Sequence, residues 1–267
     1  MTIPPDSGPG SGRKARAAFW VGAGIFLSRV AGFLRDVFLN FYLGNSREAD
    51  VWRAAIRTPN VIQNLLGEGT LSASFIPVYA EFLEEGRKVD AGRFAGAALG
   101  MLAVVAFGIA LLGMAAAPLI VNLVFWEWSP EKQALTTALV RILFPMTALL
   151  VVSAWLLGIL NSHRRFFVSY VAPVAWNAAI IAVLVVCGSL LGWDALGRDV
   201  DLVTAMAWGA LIGGGLQVLV QLPWAVPLLR GFRLSVDRHV KGIQEAISNF
   251  LPVVAARGIV NVSGFLD

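Results

Sequence analysis

The chain has little charge for its length. Charged residues make up 14% and hydrophobic residues 57% of its 267 residues, and its mean hydropathy is +0.72, whereas a soluble domain carries roughly 25% charged residues. This composition excludes an ordinary soluble enzyme. Long apolar runs between short charged clusters are typical of helices that cross a bilayer, so the sequence predicts an all-α polytopic membrane protein.

The chain also has few of the residues that metal and redox centres need. Its one cysteine, Cys187, excludes an intramolecular disulfide and a paired-cysteine site. Its two histidines, His163 and His239, are far apart, so we predict no metal site. No HExxH, GxSxG or nucleotide-binding fingerprint occurs, and no pair of acids lies beside a histidine. These absences favour binding or passage over catalysis, and they predict no cofactor.

Apolar runs that exceed the roughly 20 residues needed to cross hydrocarbon occur about seven times. They cover residues 17–44, 50–82, 94–125, 134–160, 166–193, 202–229 and 243–266. The second run contains Pro59, Gly67, Gly69 and Pro77, which predict a bent or interrupted element near Gly67. Two glycine series have helix-packing spacing and predict the close approach of neighbouring backbones. They are Gly92, Gly96 and Gly100, and Gly209 and Gly213.

Lysine and arginine are distributed unevenly between the connections. One side holds twelve of them: Arg13, Lys14, Arg16, Arg87, Lys88, Arg93, Arg164, Arg165, Arg230, Arg233, Arg238 and Lys241. The other side holds three: Arg47, Lys132 and Arg198. Because cytoplasmic connections carry the excess of basic residues, we predict a cytoplasmic N-terminus. The same placement explains the pI of about 9.6 without nucleic acid as a partner.

Most charge within the apolar runs lies in the first two. Arg29, Arg35 and Asp36 interrupt the first run. Polar residues recur along the second at steps of three or four: Asp50, Arg53, Arg57, Asn60, Asn64 and Glu68. Such steps define one face of a helix. Because a charge at mid-bilayer costs at least about 2.5–3.5 kcal/mol, this face must meet protein or water.

Among these nine residues, four arginines against three acids leave an excess of positive charge. We therefore predict that the first two helices wall a net cationic cavity, and arginine indicates a phosphate or carboxylate headgroup as its ligand. The alternative is that the charges pair with one another or extend to the interface, with Asp50 and Arg53 as a helix-surface pair. Asn177, Gln217 and Gln221 are weaker candidates, as interhelical hydrogen-bond partners.

Seven short motifs occur in an order that covers nearly the whole chain. They are SRVAGFLRD (28–36), AD (49–50), RTPN (57–60), GEGTLSASFIPVYAEF (67–82), GILNSHRRF (158–166), APVAWN (172–177) and GGGLQVLVQLP (213–223). In this order they resemble the MurJ/MviN family of lipid II flippases. No single motif of the series would suffice for the resemblance.

The resemblance implies a fold of the multidrug/oligosaccharidyl-lipid/polysaccharide exporter superfamily. In that fold fourteen helices form two six-helix lobes around a central cavity, with two helices for the lipid tail. Residues 17–230 would be the N-terminal lobe, residues 231–267 a cytoplasmic connection and the seventh helix, and residues 1–16 a disordered basic tail. Because the last run ends at Asp267 without a basic anchor, we expect a chain truncated after the first lobe.

The resemblance also implies a transporter rather than an enzyme. Family members move lipid II, an undecaprenyl-diphosphate-linked disaccharide pentapeptide, across the bacterial cytoplasmic membrane to the outer leaflet for cell-wall synthesis. The positions matching family cavity residues are Arg29, Arg35, Asp36, Asp50, Arg57 and Glu68. The chain departs from the family at Gln63 and Asn64, where relatives can carry an arginine pair, so Arg53 or Arg57 would compensate.

The implied mechanism is alternating access, in which cavity arginines neutralise the diphosphate. The membrane potential or a coupling cation would reset the cavity, since moving one charge through 100 mV is worth about 2.3 kcal/mol. Membrane lipids and proteins of peptidoglycan synthesis are the other implied partners. Three alternatives stay open: an exporter of another polyprenyl-linked glycan or a drug, a membrane enzyme acting on polyprenyl phosphate, and a non-transporting half-protein.

Overall fold

The described part of the chain folds into eight α-helices and contains no strand. A computed structural model describes the backbone of residues 11–266 and the side chains of residues 19, 21–57, 59–61, 63–67 and 69–257. The helices are α1 (Ser11–Leu43), α2 (Arg47–Leu66), α3 (Glu68–Glu84), α4 (Lys88–Val124), α5 (Pro130–Ser162), α6 (Phe166–Val183), α7 (Asp199–Ala225) and α8 (Ile243–Leu266). A π-helical segment, Leu184–Leu190, extends α6, and a 3-10 turn, Val226–Leu228, extends α7.

Local sequence explains several helix ends. The hydroxyl of Ser46 accepts a hydrogen bond from the backbone N–H of Ala49 at 3.1 Å and caps α2. Gly44 and Gly86 follow α1 and α3 with φ values of 54° and 74°, which glycine adopts without steric cost. Helix α1 begins at Ser11, so its first turns fall in the predicted disordered tail, where arginine, lysine and alanine favour helix. Residues 1–10 of that tail lie outside the described residues.

The second predicted run is indeed interrupted. Helix α2 ends at Leu66 and α3 begins at Glu68, with Gly67 in an extended conformation between them. The N–H of Gly67 still donates to the carbonyl oxygen of Gln63 at 2.7 Å. The prediction of a break near Gly67 is therefore confirmed, and the two pieces can meet different neighbours.

Helix α5 lies at the centre of the bundle. In its most apolar stretch of 18 residues 72% are buried, against 28% in α4. All three hydrophobic clusters contain α5 residues, among them Leu143, Val151 and Trp155. Helix α4 instead exposes large apolar side chains such as Leu112 and Leu123. An apolar outer surface of this kind is suited to lipid.

Four helices of the described part, α4 to α7, are long and apolar enough to cross a membrane. The chain is thus an all-α, multi-pass membrane protein, as predicted. The number of seven spans stays a prediction, because the interrupted α2 and α3 and the polar-rich α1 do not meet the same measure of length and hydropathy.

The glycine series of α4 packs against an extended segment, residues 230–236, which we call the strap. A Cβ atom at Gly92, Gly96 or Gly100 would overlap a backbone carbonyl oxygen of the strap. A backbone does approach these glycines closely, as predicted, but it belongs to the strap rather than to a helix. Because the strap leads from α7 to α8, it ties the connection between them to α4.

The second glycine series packs two helices together as predicted. A Cβ atom at Gly213 of α7 would lie 3.0 Å from the Cβ of Ala179 and 3.0 Å from the carbonyl oxygen of Trp176, both on α6. The absence of a side chain therefore lets α7 approach α6. This close pair fixes the position of Trp176, which lines the cavity described below.

Candidate functional site

A cavity of about 670 Å³ lies inside the helix bundle. Helix α1 packs mainly on α6 and α2 packs mainly on α5, so α1 and α2 diverge and leave the cavity between them. Its wall is formed by Arg35, Asp36, Leu39, Asn40, Trp52, Arg53, Ile56, Asn60, Gln63, Leu150, Ser153, Ala154, Leu157, Pro173, Trp176, Asn177 and Gln217. Five helices, α1, α2, α5, α6 and α7, therefore wall the cavity, where the sequence indicated only the first two.

Arg35 of α1 is held in this cavity from two sides. Its Nη1 donates to Oδ1 of Asn177 on α6 at 3.1 Å, and its Nη2 and Nε donate to Oδ1 of Asp36 at 2.7 and 3.0 Å. Its guanidinium carbon lies 5.2 Å from the ring centroid of Trp176, within range of a cation–π interaction. Because 22% of the side chain stays exposed, the positioned cation remains available to a ligand.

Helix α6 orients the two residues that hold Arg35. Nε1 of Trp176 donates to the carbonyl oxygen of Ala210 on α7 at 3.1 Å. Nδ2 of Asn177 donates to the carbonyl oxygen of Pro173 at 3.0 Å, which leaves Oδ1 for Arg35. Since Asn177 is almost fully buried, its hydrogen bond to the charged guanidinium is worth about 1.5–3 kcal/mol.

Arg53 of α2 is the second cation of the lining. Its Nη2 donates to Oδ1 of Asn40 at 3.1 Å, and its Nη1 lies 3.6 Å from Oδ1 of Asp50. Asp50 also pairs with Lys132, whose Nζ lies 3.0 Å from Oδ2. The predicted pair of Asp50 and Arg53 is thus present, but both side chains are half exposed, so this pair contributes little to stability.

A buried row of polar side chains joins α5 to α7 at the cavity. Nε2 of Gln217 donates to the hydroxyl oxygen of Ser153 at 2.8 Å, and that hydroxyl donates to Oε1 of Gln221 at 3.0 Å. Gln217 and Gln221 are therefore interhelical hydrogen-bond partners, as the sequence suggested. Nε2 of the fully buried Gln221 has no hydrogen-bond partner within the described residues.

The structure brings together four of the nine predicted site residues. Arg35, Asp36, Arg53 and Asn60 share the cavity lining. Arg29, Arg57 and Asn64 are exposed and lie outside it. Asp50 lies beside the cavity through its contact with Arg53, and the side chain of Glu68 lies outside the described residues.

Helix geometry explains why Arg29 and Arg35 do not share the cavity. They are six residues apart, and at 3.6 residues per turn this separation rotates the side chain by about 240° around the helix. The two arginines of α1 therefore occupy different faces. Two arginines and one aspartate in the lining give it a formal charge of +1.

Several lining residues were not predicted from the sequence as site residues. They include Asn40, Trp52, Gln63, Ser153 and Trp176. Asn40 is one turn beyond Asp36, and Gln63 is one turn beyond Asn60, so helical spacing from a predicted residue could have indicated both. Ser153 and Trp176 lie in apolar helices without such a signal.

Solved structures define the class of this fold. A MOP superfamily transporter from Pyrococcus furiosus matches with a TM-score of 0.72 at 15% identity, covering 93% of this chain and 54% of that one. An outward-facing multidrug resistance MATE transporter matches with a TM-score of 0.70 at 17% identity over 93% and 54%. A lipid II flippase MurJ in an inward closed conformation matches with a TM-score of 0.67 at 22% identity over 92% and 51%. The chain thus has the fold of about half of a MOP superfamily transporter.

Sequence comparison gives the family within this class. The family model of lipid II flippase MurJ matches residues 39–267, which is most of the chain, and the chain belongs to this family. The lipid II flippase MurJ of Burkholderia cenocepacia is 32% identical over 260 residues, covering 93% of this chain and 48% of that protein. The probable lipid II flippase MurJ of Rhizobium tropici is 33% identical over 251 residues, covering 91% and 45%. The chain spans about half the length of these curated relatives.

Proposed function

We propose that this chain provides the first half of a lipid II flippase, a transporter without covalent chemistry. The cavity described above, which we call the half-cavity because the second half of the transporter would complete it, would bind the diphosphate of the undecaprenyl-linked muropeptide. The polyprenyl tail would stay in lipid. The observation that carries the proposal is Arg35, a cation fixed by Asn177 and Trp176 yet open to the cavity of a MurJ family member. Arginine suits a diphosphate because its guanidinium donates two parallel hydrogen bonds.

The cavity volume is consistent with partial enclosure of such a ligand. About 670 Å³ suits a drug-sized molecule, and a disaccharide pentapeptide diphosphate is larger. The half-cavity would therefore take the diphosphate and its nearest sugar, and the second half would enclose the rest. Arg29, Arg57 and Asn64 are proposed to contact the headgroup from the exposed faces of α1 and α2, beside this second half.

The proposed place of action is the bacterial cytoplasmic membrane with the N-terminus inside, on the ground of the twelve-to-three distribution of basic residues. Transport would proceed by alternating access, from the inner to the outer leaflet. The surplus positive charge of the cavity would couple its return to the membrane potential or to a cation. Proteins of peptidoglycan synthesis that consume externalised lipid II are the proposed partners.

A reconstituted transport assay tests this function. The full-length gene product is placed in proteoliposomes, and externalisation of fluorescent lipid II is measured. Arg35→Ala should lower the rate by at least about tenfold, because hydrogen bonds of a charged group are worth about 1.5–3 kcal/mol. Arg141→Ala is the matched control, since Arg141 is exposed and outside the cavity, with Nε 3.4 Å from the carbonyl oxygen of Met114.

Substrate competition separates lipid II from other cargo of the same fold. Unlabelled lipid II should compete with the fluorescent substrate, whereas a drug or a different polyprenyl-linked glycan should not. Wild-type transport by Arg35→Ala would contradict the assignment of the diphosphate site. Stronger competition by another glycan would instead transfer the proposal to that substrate.

A further inference from the structure

Helix α8 contacts the break between α2 and α3. Nη1 of Arg257, in α8, donates to the backbone carbonyl oxygen of Asn64 at 3.2 Å. Asn64 lies in the last turn of α2, where carbonyl groups have no partner within their own helix. An arginine at this end of a helix also interacts favourably with the helix dipole. Arg257 therefore caps α2 from a helix nearly 200 residues away in sequence.

The other terminal carbonyls of α2 are served locally. The carbonyl oxygen of Gln63 accepts from the N–H of Gly67 at 2.7 Å, and that of Leu65 accepts from the hydroxyl of Thr70. Only the carbonyl of Asn64, among these three, has its recorded partner in a distant helix. The end of α2 thus presents one backbone carbonyl oxygen, that of Asn64, to α8.

Gly69 makes room for the Arg257 guanidinium. A Cβ atom at Gly69 would overlap Nη2 of Arg257 and would lie 2.7 Å from its Nη1. The guanidinium therefore lies directly against the first turn of α3. Any side chain at position 69 would displace the guanidinium. A substitution at either Gly69 or Arg257 should therefore disrupt the same contact.

The same two helices also meet at their opposite ends. A Cβ atom at Gly242, just before α8, would lie 2.6 Å from Cγ1 of Val78 and 3.0 Å from Cε2 of Phe82, near the end of α3. Helices α3 and α8 therefore run antiparallel and meet at Gly242 and at Arg257. Between these two contacts, α3, α4, α8 and the segment before α8 line a cavity of about 530 Å³.

We propose that Arg257 is a positioning residue that holds α8 on the α2–α3 break. It thereby stabilises the closed state, in which α3 and α8 are in contact. The inference rests on the proposed alternating access, in which α8 begins the second half and must separate from the first half in the opposite state. Arg257 acts on the conformational equilibrium, because its guanidinium joins α8 to the end of α2 and the first turn of α3.

A distance measurement tests the proposal independently of transport. Spin labels are placed at Glu84→Cys and Gln244→Cys, exposed positions at the ends of α3 and α8, in the full-length protein with Cys187 and every cysteine beyond residue 267 replaced by alanine. Double electron–electron resonance spectroscopy then gives the populations of short and long distances between the two labels. Loss of a hydrogen bond to a charged group predicts a fall of about tenfold in the closed-to-open ratio for Arg257→Ala.

Gly69→Ala should produce the same shift as Arg257→Ala, because it displaces the guanidinium without removing it. Two controls match these changes: Gly108→Ala, where an added Cβ has no atom within 4 Å, and Arg141→Ala, which removes an arginine–carbonyl contact elsewhere. Both controls should leave the ratio unchanged. Arg257→Lys keeps a cation and should restore part of the closed population.

Unchanged distances in both Arg257→Ala and Gly69→Ala, with wild-type melting temperatures, would overturn the proposal. A lower melting temperature without a change of ratio would also overturn it, because that result indicates a purely structural contact. If Arg257→Ala does not fold, Gly69→Ala and Arg257→Lys decide the question. If the wild type fails to transport lipid II, the proposed function fails while the distance result stands by itself.

Discussion

Replacing Gly96 of α4 by alanine should displace the strap, whereas the same replacement at Gly108 of the same helix should be harmless. The new Cβ at Gly96 would overlap the carbonyl oxygen of Arg233 and lie 2.7 Å from its carbonyl carbon. These are backbone atoms, so rotation of a side chain cannot relieve the overlap. At Gly108 no atom lies within 4 Å, so the added methyl group enters open space.

The magnitude follows from two opposing effects. Alanine is favoured over glycine within a helix by about 0.8–1 kcal/mol, and this gain applies to both positions. Overpacking costs about 1–3 kcal/mol and applies only at Gly96, where displacing the strap also lengthens the 3.5 Å contact between the N–H of Ser235 and the carbonyl oxygen of Gly96. The free energy of unfolding should therefore differ by about 1–3 kcal/mol between the two variants.

Thermal unfolding in detergent measures this difference. Gly108→Ala should melt at or slightly above the wild-type temperature, and Gly96→Ala a few degrees below it. Limited proteolysis should in addition cut the strap faster in Gly96→Ala. Equal melting temperatures and equal cleavage rates in the two variants would refute the role of these glycines in seating the strap.

Three further substitutions probe the cavity and its surroundings. Asn177→Leu should free Arg35 and weaken binding of a diphosphate-linked headgroup by about tenfold or more in a binding titration; unchanged affinity would contradict the positioning role. Ser153→Ala should leave the buried Oε1 of Gln221 without its hydrogen-bond donor and lower the free energy of unfolding by about 1–3 kcal/mol, with a smaller loss for Ser153→Thr. Burial, assisted by neighbouring cations, lowers the pKa of His163 from its ordinary 6.5. Because the unfolded chain then binds a proton more readily than the folded protein, the folded protein should lose stability as the pH falls below 6.5. His163→Asn should flatten this part of the melting-temperature profile between about pH 7 and pH 5.

The sequence could predict features that depend on neighbouring residues. The break at Gly67 and the pair of Asp50 and Arg53 both depend on residues within one or two turns. The contact between Arg35 and Asn177 joins residues 142 positions apart. Helical periodicity gives the face on which a residue lies but not the helix that this face meets.

The strap shows the same limit for glycine. The spacing of the α4 glycines predicts a close backbone, and a close backbone is present. Whether that backbone is helical depends on residues 230–236, which follow the 3-10 turn at the end of α7. Gly231 in this segment has a φ of 76°, which redirects the chain along α4 instead of continuing the helix.

Helix α2 divides its polar residues between two surfaces. Arg53, Asn60 and Gln63 line the cavity, whereas Asn64 is exposed and offers its carbonyl to Arg257 of α8. Successive residues are rotated by about 100° around a helix, so neighbouring positions 63 and 64 meet different parts of the molecule. The stripe predicted from spacing alone is therefore divided between two adjacent faces, of which one lines the cavity and the other is exposed.

This division predicts different effects for substitutions at the two neighbouring positions 63 and 64. Gln63→Arg adds a cation to the cavity and should strengthen binding of an anionic headgroup, measured by titration and by its steeper dependence on salt. Asn64→Arg puts a like charge beside Arg257 and should weaken the α8 contact, seen as a larger open population of α3 and α8, whereas Gln63→Arg should leave that population unchanged. Equal effects of the two variants on both measurements would contradict the division, because a single continuous stripe would respond alike at both positions.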